Sequence, residues 1–479
     1  MVGVTTGINT GIEIGSIVSA MVAAEKAPKQ NQLARLQTAA ESKFSALGTL
    51  KGALSELQTA LKELKDPKLY EKRTATSSKT EALTATATSS AAGGTYKISI
   101  DRLATSSKVA TGSISKDFTA AGAGSLTVKL GASDAGVAVD IAEGDSLSAV
   151  RDKLNIALKD KGITANVINN PADDTSRLVL SAKESGDGND IYIESDSPAL
   201  ASLKIGAIDY SDPDKPVGNL AAVSGGSAGY LVQAQNALFS VDGLALSSAK
   251  NSVSDVIPDV TLSLSQKTEP EKPLTLTIDQ DRGGVKSTVK KFVDTYNKLI
   301  STTRSLTNVT SVGDDKAPVT GALVGDSSVR NLLSAVQGEL TDSNGEAGGF
   351  RSLAELGITT QKDGKLQIDD TKLNQVLESD YAGVGNFLSG DNGLMNRLNG
   401  KVDVYLRTGG LLQQRMDGLQ TTRSDITKQQ ENLDRRMTEM QTRLYKQFVA
   451  MDSLVGQMRN TSNGLLSALA NLPGVSSKK

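Results

Sequence analysis

The chain of 479 residues contains no cysteine, no histidine and no tryptophan, and aromatic residues make up only 3% of it. Without cysteine it forms no disulfide bond, and without cysteine and histidine it lacks the usual ligands of zinc, haem, iron–sulfur and copper sites. It also lacks imidazole, the side chain that most often serves as a general acid or base near neutral pH. We therefore expect no cofactor and no metal.

Motifs for binding or catalysis are also scarce. The sequence has no G-x-x-x-x-G-K-[ST] phosphate-binding loop, and the Asp187-Gly-Asn-Asp190 cluster lacks the ligand spacing of a calcium loop. Serine and lysine are abundant, so composition alone leaves a Ser–Lys nucleophile open. An enzyme is nevertheless the least favoured class, and we predict that the protein is not one.

Targeting signals are missing as well. The first fifteen residues carry no Lys or Arg and no continuous apolar run, in contrast to a cleaved secretory signal. No stretch of the sequence approaches the length of a transmembrane helix, so we expect no membrane insertion. The protein is predicted either to stay in the cytoplasm or to leave by a route that reads no cleaved signal.

The net charge of −2 argues against bulk nucleic-acid binding, but the charge is unevenly placed. Residues 80 to 282 carry 17 Lys and Arg against 26 Asp and Glu, whereas residues 394 to 479 carry 13 against 7. The basic carboxy-terminal region is either a solvated helical face or a surface for a partner.

The most regular pattern lies near the carboxyl end, where residues 412 to 472 can be written as one uninterrupted heptad register. With Leu412 at d, the a and d positions are mainly Leu, Met and Ile and form an apolar seam. Because side chains 3.5 residues apart return to one face of an underwound helix, this seam predicts a partner helix along its length. Polar seam residues such as Arg423 and Gln430 restrict the register or the choice of partner.

The amino-terminal region offers that partner. Residues 1 to 12 contain three glycines and three threonines, a composition that favours a disordered backbone. A short amphipathic helix is predicted from Ile14, and Pro28 is expected to break or kink it. A second heptad register runs over residues 33 to 64 and ends before Pro67.

Between the helical ends the apolar period changes from helical to alternating. Tyr96-Lys-Ile-Ser-Ile100 and Leu126-Thr-Val-Lys-Leu130 are typical half-buried strands, and Asp242-Gly243 is a favoured two-residue hairpin turn. One helix with a stripe from Leu147 to Leu158 interrupts the strands. A third helical seam then follows over residues 285 to 306.

These patterns predict an α+β, multidomain fold. An elongated helical coiled-coil or bundle stem is built from both chain ends, and β-rich head domains are inserted in the middle. The residues predicted to pack in the stem are Leu47, Leu50, Leu54, Leu57, Leu61, Phe292, Tyr296, Leu299, Leu419, Ile426 and Leu433.

The predicted boundaries divide the chain into four parts. Residues 1–40 and 435–479 are flexible terminal helical segments, and residues 41–79 and 283–434 form the stem. The first head domain comprises 80–102 and 174–282, and the second comprises the inserted residues 103–173.

Several stretches resemble the bacterial flagellar filament-capping protein family, also called flagellar hook-associated protein 2. The resemblance lies in Ile17-Val-Ser-Ala-Met21, Phe239-Ser-Val-Asp-Gly243, Phe292-Val-Asp-Thr-Tyr-Asn-Lys-Leu299 and Tyr445-Lys-Gln-Phe-Val-Ala-Met-Asp452. Near the start, Asn9-Thr-Gly11 departs from the family's commoner Gly-Ser-Gly-Leu-Asp run. The matches are weakest across residues 103 to 173.

The resemblance implies a non-enzymatic assembly factor at the distal tip of the flagellum. Family members form a homo-oligomeric ring, commonly pentameric, beneath which exported flagellin subunits fold and insert instead of being lost. The other partners implied are the hook–filament junction proteins and a cytoplasmic export chaperone that covers the carboxy-terminal helix. Export through the flagellar type III apparatus requires no cleaved signal, and the implied location is extracellular.

We predict that the terminal seam docks onto the filament and, before export, onto the chaperone. Its residues are Ile14, Ile17, Val18, Met21, Leu444, Phe448, Met451, Leu454, Met458 and Leu465. Two alternatives stay open: another axial flagellar protein, such as a junction subunit, and a surface adhesin whose acidic β-rich region binds host glycans.

Overall fold

The computed structural model describes residue 7 and residues 9–208, 225–311, 318–342 and 349–470. The chain divides into two compact units, a helical unit of Met1–Tyr70 with Arg282–Lys479 and a β-rich unit of Glu71–Asp281. Both chain ends therefore belong to one helical unit, and the strands fill the middle of the chain. The predicted α+β, multidomain fold is confirmed.

In the helical unit two small hairpins lie between helices. They pair Val309–Thr310 with Val319–Thr320 and Ile358–Thr360 with Leu366–Ile368. Asp326, Asp369 and Asp380 begin three of the helices by accepting hydrogen bonds from their first backbone N–H groups. The helices are α1 Ile14–Leu64, α2 Lys68–Glu71, α3 Leu147–Leu158 in the β-rich unit, α4 Arg282–Thr307, α5 Ser327–Thr341, α6 Asp370–Ser379, α7 Tyr381–Ser389, α8 Leu394–Leu406 and α9 Leu411–Ala470.

The first helix is longer than predicted. α1 runs for 51 residues without interruption and contains Pro28, so of the predicted break or kink at this proline the break is wrong. A proline inside a helix removes one backbone hydrogen bond and crowds the preceding turn. Packing on both sides offsets that loss here, because Val22 and Leu33 contact the same apolar cluster on α9.

The core of the helical unit is formed by the carboxy-terminal half of α1 together with α4 to α8 and the start of α9. Leu50, Leu54 and Phe292 are among its fully buried side chains. Apolar residues at heptad spacing on α1 and at steps of three and four on α4 line this core, which is why both helices were recognisable in the sequence.

The β-rich unit contains four sheets within its described residues. Their strand orders are β1-β16-β3-β12-β13, β14-β15-β2, β10-β6-β7 and β11-β4-β9-β5, with β8 paired to β9 in the last. The strands are β1 Arg73–Ser77, β2 Leu83–Ala87, β3 Gly94–Arg102, β4 Ser106–Ala110, β5 Ile114–Ser115, β6 Gly124–Leu130, β7 Val137–Ile141, β8 Ile163–Asn170, β9 Thr175–Ser185, β10 Ile191–Ser195, β11 Gly229–Val232, β12 Ala237–Val241, β13 Leu244–Ser248, β14 Ser252–Ile257, β15 Val260–Leu264 and β16 Leu274–Gln280.

The predicted hairpin between β12 and β13 is confirmed. Val241 pairs with Leu244, and the two residues between them, Asp242 and Gly243, both have positive φ, at 50° and 85°. These angles are those of a type I′ turn, whose twist matches that of the flanking strands.

The predicted end of the inserted module at residue 173 is wrong. β9 pairs with β4 and β8, and β10 pairs with β6, so strands after residue 173 complete the sheets that begin before it. One apolar core accordingly extends from Val109 to Tyr230, and a separate core joins residues 82–104 to 237–278. Strand pairing between distant residues sets this boundary, and the local pattern does not contain it.

Candidate docking surface at the chain termini

α1 and α9 pack against each other as an antiparallel pair. Lys26 forms an ion pair with Asp434 at 2.7 Å, and the side-chain amide of Gln430 donates to that of Gln37 at 3.1 Å. A small apolar cluster of Leu33, Ile426, Leu433 and Met437 packs in the same region, with Val22 and Met440 at its edge. The seam predicted from the heptads therefore has a partner helix from the same chain.

Beyond Met440 the contact line leaves the heptad positions. Phe448 is half-buried, and Asp452 and Gly456, one and two turns further along α9, are buried. The heptad register instead places Met451 and Met458 on the seam. These buried positions follow one another at steps of four, close to the 3.6 residues per turn of a straight helix. A straight helix drifts by about 20° per heptad from a 3.5-residue repeat, which accounts for the change of face.

The amino-terminal loop lies on this face and is fastened by one carboxylate. Asp452 accepts hydrogen bonds from the backbone N–H groups of Asn9 at 3.2 Å and Thr10 at 2.9 Å. It also accepts from the Thr10 hydroxyl at 2.5 Å and from the Asn9 amide at 3.3 Å. Two turns further along α9, the Arg459 guanidinium donates to the carbonyl of Asn9 at 2.9 Å. We call Asp452, Gly456, Arg459 and the bound residues 9–10 the Asp452 catch.

Two glycines make room for the Asp452 catch. A Cβ atom on Gly456 would lie 2.5 Å from Cγ of Asn9, and a Cβ on Gly7 would lie 2.5 Å from Oδ1 of Asp452. The loop is closed by backbone hydrogen bonds from Gly7 to Ile12 and from Gly11 to Gly7, with Gly11 at a φ of 72°. For residues 9 to 12 the expected disorder is therefore wrong; residues 1–6 and 8 lie outside the described residues.

The groups around Asp452 favour the charged form of its carboxylate. The hydrogen bond from the Thr10 hydroxyl holds the pKa of Asp452 below its ordinary value, and burial opposes this shift only in part. Donation from the Asn9 and Thr10 backbone adds to the same effect. Because Arg459 binds the loop on the same helix, the loop bridges an anion and a cation.

Most of the apolar residues predicted for docking lie in solvent. On α1, Ile14 and Val18 are buried, whereas Ile17 and Met21 are exposed. On α9, Leu444 and Phe448 are half-buried. Met451, Leu454, Met458 and Leu465 are 50%, 56%, 65% and 59% exposed. We call these last four residues the open face of α9.

The residues predicted for the stem fall into two packing regions. Leu47, Leu50, Leu54, Leu57, Leu61, Phe292, Tyr296 and Leu299 are buried in the main core, and Leu419 is partly buried against it. Ile426 and Leu433 belong instead to the separate cluster between α1 and α9. Sequence patterns gave no signal for the Asp452 catch, because its partners lie about 440 residues apart and are polar.

Models of known families match most of the chain. Residues 10–107 match "Flagellar hook-associated protein 2 N-terminus", residues 234–460 match "Flagellar hook-associated protein 2 C-terminus", and residues 125–184 match "Flagellin hook IN motif". The A-type flagellar hook-associated protein 2 of Pseudomonas aeruginosa is 50% identical over 95% of both chains. The chain belongs to the flagellar hook-associated protein 2 family.

A relative and a solved structure agree with this assignment. Flagellar hook-associated protein 2 of Escherichia coli (strain K12) is 32% identical over 94% of both chains. The crystal structure of the D1-D2-D3 domains of the flagellar cap protein FliD from Escherichia coli is similar with a TM-score of 0.56 and 30% identity. The match covers 78% of this chain and 99% of that one. The predicted function of a flagellar filament cap is confirmed, and neither the junction protein nor the adhesin is favoured.

The described residues contain no group of three or more acidic side chains arranged to hold a metal ion. No helix in the described ranges is both long enough and apolar enough to cross a bilayer. Gly225-Gly-Ser-Ala-Gly229 has the spacing of a G-x-S-x-G nucleophile elbow, but it leads into β11, whereas such an elbow leads from a strand into a helix.

Proposed function

We propose that this filament cap acts by docking its terminal helices on the end of the growing filament, where exported flagellin subunits fold and insert beneath it and are kept from loss. The observation that carries the proposal is the open face of α9, a row of large apolar side chains left in solvent. Apolar side chains grouped on one face of a helix typically mark a protein-binding surface. The role requires no catalytic group, and the protein is not an enzyme in this proposal.

The open face can supply docking energy through burial of its apolar side chains on a partner. Burial of a Leu or Met side chain on a partner contributes about 1.5–3 kcal/mol, so several such residues in a row provide substantial docking energy. The neighbouring basic residues Arg443 and Lys446 surround the face with positive charge at its amino-terminal side. We propose that the cytoplasmic export chaperone covers this same surface before export and that the filament takes its place afterwards.

The remaining partners follow from the family. We propose that the protein forms a homo-oligomeric ring, which in the family is commonly pentameric. The hook–filament junction proteins lie below the ring at the start of growth. The location is the distal, extracellular tip of the flagellum, reached through the flagellar type III apparatus without a cleaved signal. The lack of cysteine supports such a route, since a chain without disulfides can pass unfolded through a narrow channel.

Complementation tests the proposal. Purified protein is added to cells that lack their own cap, and filament length and free flagellin in the medium are measured. We expect filaments to lengthen and free flagellin to fall. Continued loss of monomeric flagellin would contradict the docking role, and labelled protein found at the hook–filament boundary would indicate a junction subunit. Electron microscopy of the purified protein measures the number of subunits in the ring.

A further inference from the structure

The two modules of the β-rich unit are connected by the chain at two places that lie side by side. We call β4 to β11 with α3 the inserted module, and β1 to β3 with β12 to β16 the flanking module. Residues 103–105 lead into the inserted module and residues 233–236 lead back. The backbone N–H of Thr105 donates to the carbonyl of Gln235 at 2.9 Å, and that of Gln235 donates to the carbonyl of Thr105 at 3.1 Å. Two adjacent connections form a hinge, because domains joined by short segments usually move relative to each other.

A third contact crosses the same junction from a loop that belongs only to the inserted module. The loop follows β9 and begins with Gly186 and Asp187. The backbone N–H of Asp187 donates to Oδ1 of Asn236 at 2.9 Å, and the backbone N–H of Asn236 donates to Oδ1 of Asp187 at 2.9 Å. The Ser185 hydroxyl donates to the carbonyl of Ala249, just after β13 of the flanking module, at 2.6 Å. Because Ala249 lies outside both connections, this contact restrains the hinge.

The two connections are themselves held from both sides. In the flanking module, Oδ1 of Asn251 accepts from the backbone N–H of Ala104 at 2.7 Å, and its Nδ2 donates to the carbonyl of Ala104 at 2.8 Å. In the inserted module, the buried carboxylate of Asp190 accepts from the backbone N–H of Ala234 at 2.8 Å. Hydrogen bonds are directional, those to a carboxylate above all, so these contacts fix an orientation as well as a distance.

We propose that Asp187 is a positioning residue: with Gly186 and Asn236 it locks the inserted module to the flanking module, so that the β-rich unit moves as one rigid body. Without this lock the inserted module swings about residues 103–105 and 233–235. The inference rests on the proposed function for its biological meaning, because a cap that keeps flagellin from loss must hold its shape over the filament end. The lock itself is a property of the isolated chain and is measured without flagellin.

Two glycines of the loop provide a matched pair of variants. Gly186 and Gly188 have positive φ, at 100° and 84°, so alanine at either position strains the backbone similarly. A Cβ on Gly186 would lie 2.6 Å from Cβ of Ala249 and 3.0 Å from Oδ1 of Asn236, whereas a Cβ on Gly188 meets no atom within 4 Å. A difference between Gly186→Ala and Gly188→Ala therefore reports the contact across the junction rather than strain in the loop.

Because the chain has no cysteine, Ile156→Cys on α3 and Thr277→Cys on β16 introduce one exposed thiol into each module. Nitroxide labels on the two thiols give a distance distribution by pulsed electron paramagnetic resonance. The labelled full-length protein is diluted with unlabelled protein, so that only distances within one subunit are measured. We expect a narrow distribution in the labelled parent and with Gly188→Ala, and one about two-fold wider with Gly186→Ala and Asp187→Ala. A wide distribution in the parent, or a narrow one with both Gly186→Ala and Asp187→Ala, would overturn the inference.

A conservative variant separates positioning from general stability. Asp187→Asn keeps Oδ1 as an acceptor for the backbone N–H of Asn236, whereas Asp187→Ala removes it. A narrow distribution with Asp187→Asn and a wide one with Asp187→Ala support the proposal; equal widths contradict it. Thermal unfolding is measured on the same samples, because a merely structural role would lower the melting temperature without widening the distribution of the folded protein.

Complementation distinguishes the lock from the proposed function. Failure of the wild-type protein to restore filaments would contradict the proposed function and leave the lock established, since the distances are measured on the purified protein. Normal capping by Asp187→Ala, together with its wide distribution, would contradict the role of the lock in capping and leave the docking role intact.

Discussion

Arg415 on α9 binds both carboxylate oxygens of Asp326, with Nη1 2.8 Å from Oδ1, and Asp326 is at the same time the N-cap of α5. Asp326→Ala removes the cap and leaves Arg415 without its partner. We expect the free energy of unfolding of the helical unit to fall by about 2 kcal/mol, since a lost cap costs about 1 kcal/mol and an unpaired, partly buried charge adds to it. Urea denaturation followed by circular dichroism measures the change.

The control for that substitution is Asp425→Ala on the same helix as Arg415. Asp425 lies 3.8 Å from Lys428, and both side chains are exposed. Exposed pairs of this kind contribute little, so we expect a change of at most about 0.5 kcal/mol. Equal losses from the two substitutions would show that the Asp326–Arg415 pair has no special role.

The same pair predicts a pH dependence. Burial raises the pKa of Asp326, but hydrogen bonding and charge from Arg415, together with the first N–H groups of α5, outweigh it and hold the pKa below its ordinary value. A lowered pKa in the folded state gives stability that is complete above the ordinary pKa of about 3.9 and is lost as the pH falls through the lowered value. The stability difference between the wild-type protein and Asp326→Asn should be constant from about pH 5 to pH 7 and shrink only below about pH 4. Denaturation curves across this range measure it, and a difference that vanishes near neutrality would contradict the assignment.

Periodicity identified α1, α4 and α9 because each buries a stripe of Leu, Val, Met or Phe that returns at helical spacing. Local sequence reasoning failed at Pro28. The local free-energy cost of a proline inside a helix is outweighed there by packing against α9, about 400 residues away in the chain. Periodicity also failed beyond Met440, because a heptad template assumes an underwound helix and assigns contact positions by hydrophobicity. Asp452 therefore looked like an outward-facing residue.

The boundary between the two β-rich modules could not be predicted, for a related reason. Strand β6 was visible as an alternating segment, but which strands pair with it is set by contacts across long stretches of chain. Likewise, no local pattern shows that β9 lies between β4 and β8. The hairpin at Asp242-Gly243 was predictable, because its two residues determine the turn locally.

Substitutions of Pro28 test how far packing of α1 against α9 offsets the cost of a proline inside the helix. Pro28→Ala restores the backbone N–H group inside α1, and Pro28→Gly restores it with a residue of lower helix propensity. Proline and glycine in a helix interior are about 3 and 1 kcal/mol less favourable than alanine, so we expect stability to rise in the order Pro, Gly, Ala. Thermal unfolding combined with amide exchange of residues 20 to 36 gives the order. A glycine variant no more stable than the wild type would mean that α1 is already relaxed around the proline.

Two aspartates introduced on one face of α9 or on another distinguish an effect on docking from an effect on folding. Met451→Asp with Leu454→Asp puts two carboxylates on the open face, where the side chains are 50% and 56% exposed and the new charges stay hydrated. The isolated protein should therefore fold with unchanged stability. Docking should fail, because each carboxylate would have to be desolvated against an apolar partner, at a cost of several kcal/mol.

The matched control is Ser453→Asp with Asn460→Asp. These two exposed residues lie on the other side of α9 from Met451, since each residue along a helix adds about 100° of rotation. The control adds the same charge outside the open face and should leave capping intact. Filament length in cells that lack their own cap distinguishes the two double variants, and normal filaments with Met451→Asp and Leu454→Asp would exclude the open face as the docking surface.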